Sequence, residues 1–218
     1  MTTSVSLRSL RPLLAAITLA EEISRDVSAR QALLAPSRLR ETLRRQSWQE
    51  TAHAAVFRTA LHCTPGDAAC PQPLANALRR YADRLHADID RGDLAASMAG
   101  LHCVLEGVAA IALAPPPGAL ATLADQLVPL RAFVLHQEEA HQRLGEVWVP
   151  RLVEDRRVLT RSVFDYCELA LELVGAGTTH LECLEHDADY YTASVSLHLD
   201  DTRCHLATSR EDSASSKA

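Results

Sequence analysis

In the stretch Glu138-Glu139-Ala140-His141-Gln142-Arg143-Leu144-Gly145-Glu146-Val147-Trp148, a carboxylate and an imidazole stand three residues apart within a helical pattern. On an α-helix positions i and i+3 project from the same side, so Glu138 and His141 can offer an oxygen and a nitrogen to one metal ion. Val134 and Leu135 lie one turn before Glu138, and Leu144, Gly145 and Trp148 follow His141 at three, four and seven residues. That face is therefore an interior one. A buried carboxylate without a partner costs on the order of several kcal/mol, so Glu138 needs a cation or a proton.

The same spacing recurs at Glu50-Thr51-Ala52-His53, with Leu43 seven residues before Glu50 and Phe57 and Ala60 four and seven after His53. Glu106 is the only charged residue between Asp93 and Asp125, and Ala99, Cys103, Ala109, Ala110 and Leu113 share its face. One acid in so apolar a run asks for a buried positive partner. Glu21 and Glu22 close the first apolar stretch, and either can face inward. In chain order this gives one Glu, Glu50-x-x-His53, Glu106 and Glu138-x-x-His141, the ligand order of ferritin-like dinuclear carboxylate bundles. Four carboxylates and two neutral imidazoles neutralise two divalent ions, and such ligands suit iron or manganese.

Composition agrees with a helical bundle. The 218 residues suffice for one large domain, placed at 1–206, with a polar tail at 207–218 expected to be disordered. Aromatic residues are only 4% and glycines only 8, which argues against a sandwich, a barrel or a stacking platform; Leu, Ala, Arg and Glu favour an all-α fold. A net charge of −6 provides no basic field, so nucleic acid is not an expected partner. The six dispersed cysteines read as free thiols of a cytoplasmic protein. Arg8 and Arg11 before Leu13 to Ala20 imitate a secretory signal, but the run is short and Glu21-Glu22 continues the helix. No stretch reads as a transmembrane segment.

Six or seven helices are predicted. The first spans Leu10 to Leu34 and ends at Pro36; the second, capped by Ser37, reaches about His62. After a loop from Cys63 to Pro73 come Leu74 to Arg91 and Asp93 to about Ala114, the latter stopped by Pro115-Pro116-Pro117-Gly118. The next runs from Ala119 to Val149 with a kink at Pro129 and is closed by Pro150. Arg151 to Val174 is broken by Gly175-Ala176-Gly177, and Thr179-His180-Leu181-Glu182 reads as a capping box for a last helix to about His205.

The second motif with its tail, Glu138-x-x-His141-x-x-x-Gly145-Glu146-x-Trp148, resembles the aldehyde-deformylating oxygenases (fatty aldehyde decarbonylases) of cyanobacteria, which have Glu-x-x-His-x-x-x-Gly-Glu-x-Trp. Gly92-Asp93-Leu94 followed after eleven residues by Glu106, Phe57 after His53, and Ala16-Ile17 before Glu22 are similar to that family too. The interval to Glu50 favours Glu22 over Glu21. The resemblance covers roughly residues 10–152. It departs in a longer loop between Glu106 and Glu138, in the aliphatic Ile111, Leu113 and Ala114 where the family has aromatics, and after Pro150.

The resemblance implies a ferritin-like four-helix bundle with additional helices and two iron ions, with manganese as an alternative in one or both positions. The ligands it implies are Glu22, Glu50, His53, Glu106, Glu138 and His141. It further implies O2 as co-substrate, an external electron donor such as ferredoxin with its reductase, and conversion of an apolar aldehyde to alkane or alkene plus formate, with no separate acid or base. Other readings of the same residues are a bundle that hydroxylates or desaturates a specialised metabolite, a ferroxidase or iron store, and a metal-free helical interaction protein. His102 and Cys103 can support Glu106 from one turn away, or Cys103 can be a small buried hydrophobe. The cluster Glu182, Glu185, His186, Asp187 and Asp189 reads as a solvated face. The runs Arg38-Arg40-Arg44-Arg45 and Arg151-Arg156-Arg157-Arg161 read as solvated faces or as docking sites for an acidic donor.

Overall fold

Helix-forming residues carry the chain into helices that Pro and Gly delimit less often than the sequence suggests. The computed structural model describes residues 7–64, 69–114, 128–181 and 187–208. Among the described residues there are seven helices and no strand: α1 (Leu7–Leu34), α2 (Ser37–Cys63), α3 (Gln72–Asp90), α4 (Leu94–Leu113), α5 (Val128–Leu152), α6 (Arg156–Leu181) and α7 (Ala188–Thr208). Helices α1 and α2 pack as a hairpin, α4 lies against α5, and α3, α6 and α7 cover the remaining flanks of α1 and α4. The fold is a ferritin-like helical bundle.

The turns are built by local chemistry. Pro36 leaves the helical region (φ −59°, ψ 154°) and its carbonyl accepts from Leu39 and Arg40, so Pro36 and not Ser37 caps α2. Between α3 and α4, Gly92 takes φ +77°, a left-handed conformation that side-chain-bearing residues adopt only under strain. Asp93 then caps α4, its carboxylate accepting from the Ala96 amide at 2.9 Å.

Helix α4 is the core of the bundle. It is long and apolar enough to cross a membrane, but 83% of its apolar window is buried inside the protein. Over Ala99–Leu105 its backbone widens into a π-helical stretch. Two side chains take up carbonyls of that stretch: the Tyr81 hydroxyl donates to Gly100 O at 2.8 Å, and His198 Nε2 donates to Cys103 O at 3.0 Å. Neighbours then approach it closely. A Cβ on Gly100 would lie 2.4 Å from the Tyr166 ring, and one on Gly145 of α5 would lie 2.6 Å from His102 Cβ.

Two expected breaks and one expected helix start are absent. Helix α5 runs through Pro150 to Leu152; the proline falls in the last turn, where it costs the helix a single i→i−4 hydrogen bond, to the Glu146 carbonyl, with one residue pair left to follow it. Helix α6 runs through Gly175-Ala176-Gly177 to Leu181, the propensity cost of about 1 kcal/mol per glycine being outweighed by packing. Thr179 therefore lies inside α6 and starts no helix; Asp187, accepting from the Tyr190 amide at 2.9 Å, precedes α7 instead. The run 119–127 before Pro129, the triple proline, Glu182 to His186 and the tail from residue 209 lie outside the described residues. Cys63, Cys70, Cys103, Cys167 and Cys204 are free thiols.

The glycines yield a contrast in sign. Nothing lies within 4 Å of a Cβ built on Gly175, so Gly175→Ala is expected to stabilise by about 0.5–1 kcal/mol. Gly145→Ala should cost about 1–3 kcal/mol by wedging α5 from α4. Urea denaturation of both variants checks this, and equal effects would refute the close approach.

Candidate metal centre

Four helices each bring acid to one buried point: Glu21 from α1, Glu50 with His53 from α2, Glu106 from α4, and Glu138 with His141 from α5. Oxygens or nitrogens of Glu21, Glu50, His53 and Glu138 lie within 4.8 Å of one another, and so do those of Glu50, Glu106 and His141. Glu50 belongs to both groups. Its Oε2 is 3.1 Å from His53 Nδ1 and its Oε1 is 3.0 Å from His141 Nδ1. His53 Nδ1 is also 3.2 Å from Glu21 Oε2 and 3.6 Å from Glu138 Oε1.

Glu21 takes the place expected for Glu22. The Glu22 carboxylate points outward and pairs with Arg58, whereas Glu21 is buried on the stripe that includes Leu14, Ser24, Ser28 and Gln31. Neighbouring helical residues diverge by about 100°, so the rotation of α1 decides between them. The other five expected residues come together as the spacing requires.

The donor set fits divalent cations. Glu138 Oε1 is buried without a hydrogen-bond partner, an atom that a metal would satisfy, and the Glu50 oxygens and both imidazole Nδ1 atoms converge on the same region. Burial, followed by the neighbouring carboxylates, pushes Glu106 well above the usual carboxylate range. Burial likewise raises Glu21, against the opposing bond from His53, and Glu138, against its bond with Glu106. Burial also works against the charge on Glu50, but His141 and His53 outweigh it and hold that carboxylate below its usual range. His53, despite its burial, is raised to about 11 by Glu21 and Glu50.

Both imidazoles are held from behind. His141 Nε2 donates to Gln49 Oε1 at 3.2 Å, and His53 Nε2 donates to Gln137 Oε1. Each glutamine precedes the glutamate of the opposite motif, so the bonds cross between α2 and α5. Sequence reading missed them, although Gln-Glu-x-Ala-His occurs at both 49–53 and 137–141.

A buried polar chain backs the acids. Gln46 Nε2 lies 3.1 Å from Glu50 Oε1 and 3.4 Å from Glu106 Oε1 and His102 Nδ1. His102 Nε2 donates to Gln31 Oε1 at 3.0 Å, and Gln31 Nε2 donates to Ser97 at 2.9 Å. Burial, followed by His141, lowers His102 to about 3, so it serves as a neutral spacer. The Cys103 thiol is pushed up by burial and packs as a small hydrophobe against Gly145.

Glu21, Glu106 and Glu138 also line a small cavity of about 140 Å³. Apart from Ser24 and Tyr191 its other walls are apolar, including Ala16, Ile17, Leu78, Ala109 and Leu173.

No protein-family model matches the chain, and no curated protein does. A solved structure, protein 19 with aldehyde deformylating oxidase activity from Synechococcus, superposes with a TM-score of 0.78 at 18% identity, over 94% of this chain and 92% of that one. The likeness carries the fold, and the resemblance read from the motifs holds at that level.

Proposed function

We propose that the protein is a two-metal, O2-dependent oxygenase that converts an apolar aldehyde to an alkane or alkene plus formate. One observation carries this reading: the carboxylates of the candidate metal centre form the floor of an apolar cavity. A ferroxidase has no use for such a cavity, whereas an oxygenase needs a dry place for an organic chain beside its metal. The likeness to a protein described as having aldehyde deformylating oxidase activity supports the same choice.

Glu21, Glu50, His53, Glu106, Glu138 and His141 would hold the ions, with Glu50 reaching both groups. Two iron ions, or manganese in one or both positions, supply the redox capacity to activate O2 when bound. The chain's own part is to position and exclude. Aliphatic walls hold the substrate tail and keep water from the reacting carbon, while the glutamine-held imidazoles keep their Nδ1 atoms turned inward. Cleaving the aldehyde to hydrocarbon and formate with O2 also yields one water and consumes four electrons and three protons. An external donor must therefore dock, and exposed Arg38, Arg44 and Arg45 of α2 and Arg157 and Arg161 of α6 offer basic faces for an acidic one.

The metal reading sets a pH dependence. In metal-free protein, Glu21, Glu106 and Glu138 keep protons above the usual 4.5, and His53 keeps its proton to about 11 against 6.5. Each favours the folded state below the unfolded value and loses that contribution as pH rises through the folded one. Glu50 acts oppositely, its contribution being lost only as pH falls below the usual 4.5. The metal-free Tm should therefore fall from about pH 5 to about pH 8, whereas bound divalent ions, which need deprotonated ligands, should reverse the slope. Thermal melts with and without metal check this, and parallel slopes would remove the site.

Reconstituted protein should hold about two ions per chain, and His53→Ala or His141→Ala should lower that content. Incubation with long-chain aldehyde, reductant and O2 should give hydrocarbon and formate in equal amounts. A hydroxylated or desaturated product would instead place the protein among other oxygenases of this fold. Ala109→Phe, which narrows the cavity, should raise KM for long chains by about tenfold and change short ones less, consistent with about 1–3 kcal/mol of overpacking.

A further inference from the structure

We infer that Gln49 and Gln137 are a crossed pair of positioning residues, each fixing the imidazole of the opposite Glu-x-x-His motif with its metal-facing nitrogen unprotonated. The inference rests on the metal reading of the cluster. Gln49 and His53 stand four residues apart on one face of α2, as do Gln137 and His141 on α5. The contacts pair Gln49 with His141 and Gln137 with His53, so position rises along α2 as it falls along α5 and the two helices meet antiparallel.

The chemistry follows from what an amide oxygen can do. Gln Oε1 is an acceptor only, and the structure aims each at an Nε2 atom, which must carry the hydrogen to make the bond. A neutral imidazole protonated at Nε2 has its lone pair at Nδ1, the atom that faces Glu50 in both histidines. Each glutamine is partly exposed while each histidine is buried, so the amides also separate the imidazoles from solvent. Phe133 adds to the His53 side, its ring meeting that imidazole edge-on with centroids 6.3 Å apart.

Each bond therefore fixes one ring orientation before metal arrives and keeps the Nε2 hydrogen in place, so that Nδ1 is the atom freed for the ion when it binds, and does so between two helices that the ions must bridge. Outer partners of metal-bound imidazoles are typically worth about 10–100-fold in metal affinity. Because the pair is crossed, the loss should be local: Gln137→Leu should weaken the ion beside His53, and Gln49→Leu the ion beside His141.

The test uses Zn(II), a diamagnetic probe, and full-length protein. In the unmutated Zn(II)-loaded chain, imidazole 15N spectra should show both histidines protonated at Nε2, with slow exchange of that hydrogen. Competition titrations should show Gln137→Leu and Gln49→Leu each losing about 10–100-fold for one of two ions. Gln137→Glu and Gln49→Glu, which keep an acceptor, should stay within about threefold of the parent, while metal-free Tm values remain comparable. The inference is overturned if the spectra show Nδ1 protonation, if the Leu variants bind both ions as tightly as the parent, or if Leu and Glu variants fail alike. Two bound ions with unaltered affinity in the Leu variants defeat the positioning role alone. A parent chain that binds no ion defeats the metal reading with it.

Discussion

Four carboxyl groups share a water-poor core with two imidazoles, and this imbalance of charge is the constraint on which the rest of the structure depends. Only Glu50 has an imidazole on each oxygen, and only Glu50 is held below the usual carboxylate range. Glu21, Glu106 and Glu138 are left to compete for His53 or for protons, and burial pushes all three up. Hydrophobic substitution of such a set would stabilise the bundle more cheaply than ion pairing does. Its arrangement makes physical sense as a receptacle for positive charge: two divalent ions balance the four carboxylates and leave the imidazoles neutral.

Holding acids at this point requires departures from regular helix geometry. The widened stretch Ala99–Leu105 turns His102 and Glu106 toward Gln46, which lies 3.4 Å from each. Widening leaves carbonyls poorly placed for the helix's own ladder, and Tyr81 and His198 take two of them. Gly100, Gly107 and Gly145 then let Tyr166, His198 and α5 reach the distorted segment where a side chain would block them. Stability outside the site thus depends on the same distortion that places Glu106.

The sequence showed those parts of the site that helical periodicity determines alone. Both Glu-x-x-His pairs were legible because i and i+3 coincide on any helix, and Glu106 because a lone charge in an apolar run has few explanations. Glu21 was not, because the inward stripe of α1 turns polar beside the site: Glu21, Ser24, Ser28 and Gln31 are all buried, so hydrophobicity gave no sign of the helix's rotation. Pro150 and the Gly175 to Gly177 run misled for the opposite reason, since both are strong local signals that tertiary packing overrides. Gln49 and Gln137 give no sign on a single helix because their role exists only across two helices.

Those amides give the site two unlike sides. On one, Glu50, His53 and His141 are fastened by Gln46, Gln49 and Gln137, each polar atom with a fixed direction. On the other, Glu21, Glu106 and Glu138 face an apolar cavity whose walls offer little to bond with. Carboxylates can shift between one- and two-oxygen attachment far more readily than an imidazole can turn away from its donor. The freedom to rearrange therefore lies on the cavity side, where an apolar substrate would arrive, and the rigidity lies on the side toward solvent. That division favours a site that must change its attachments during turnover over one that only stores an ion, because storage alone gives no reason to keep the adaptable ligands beside a dry pocket.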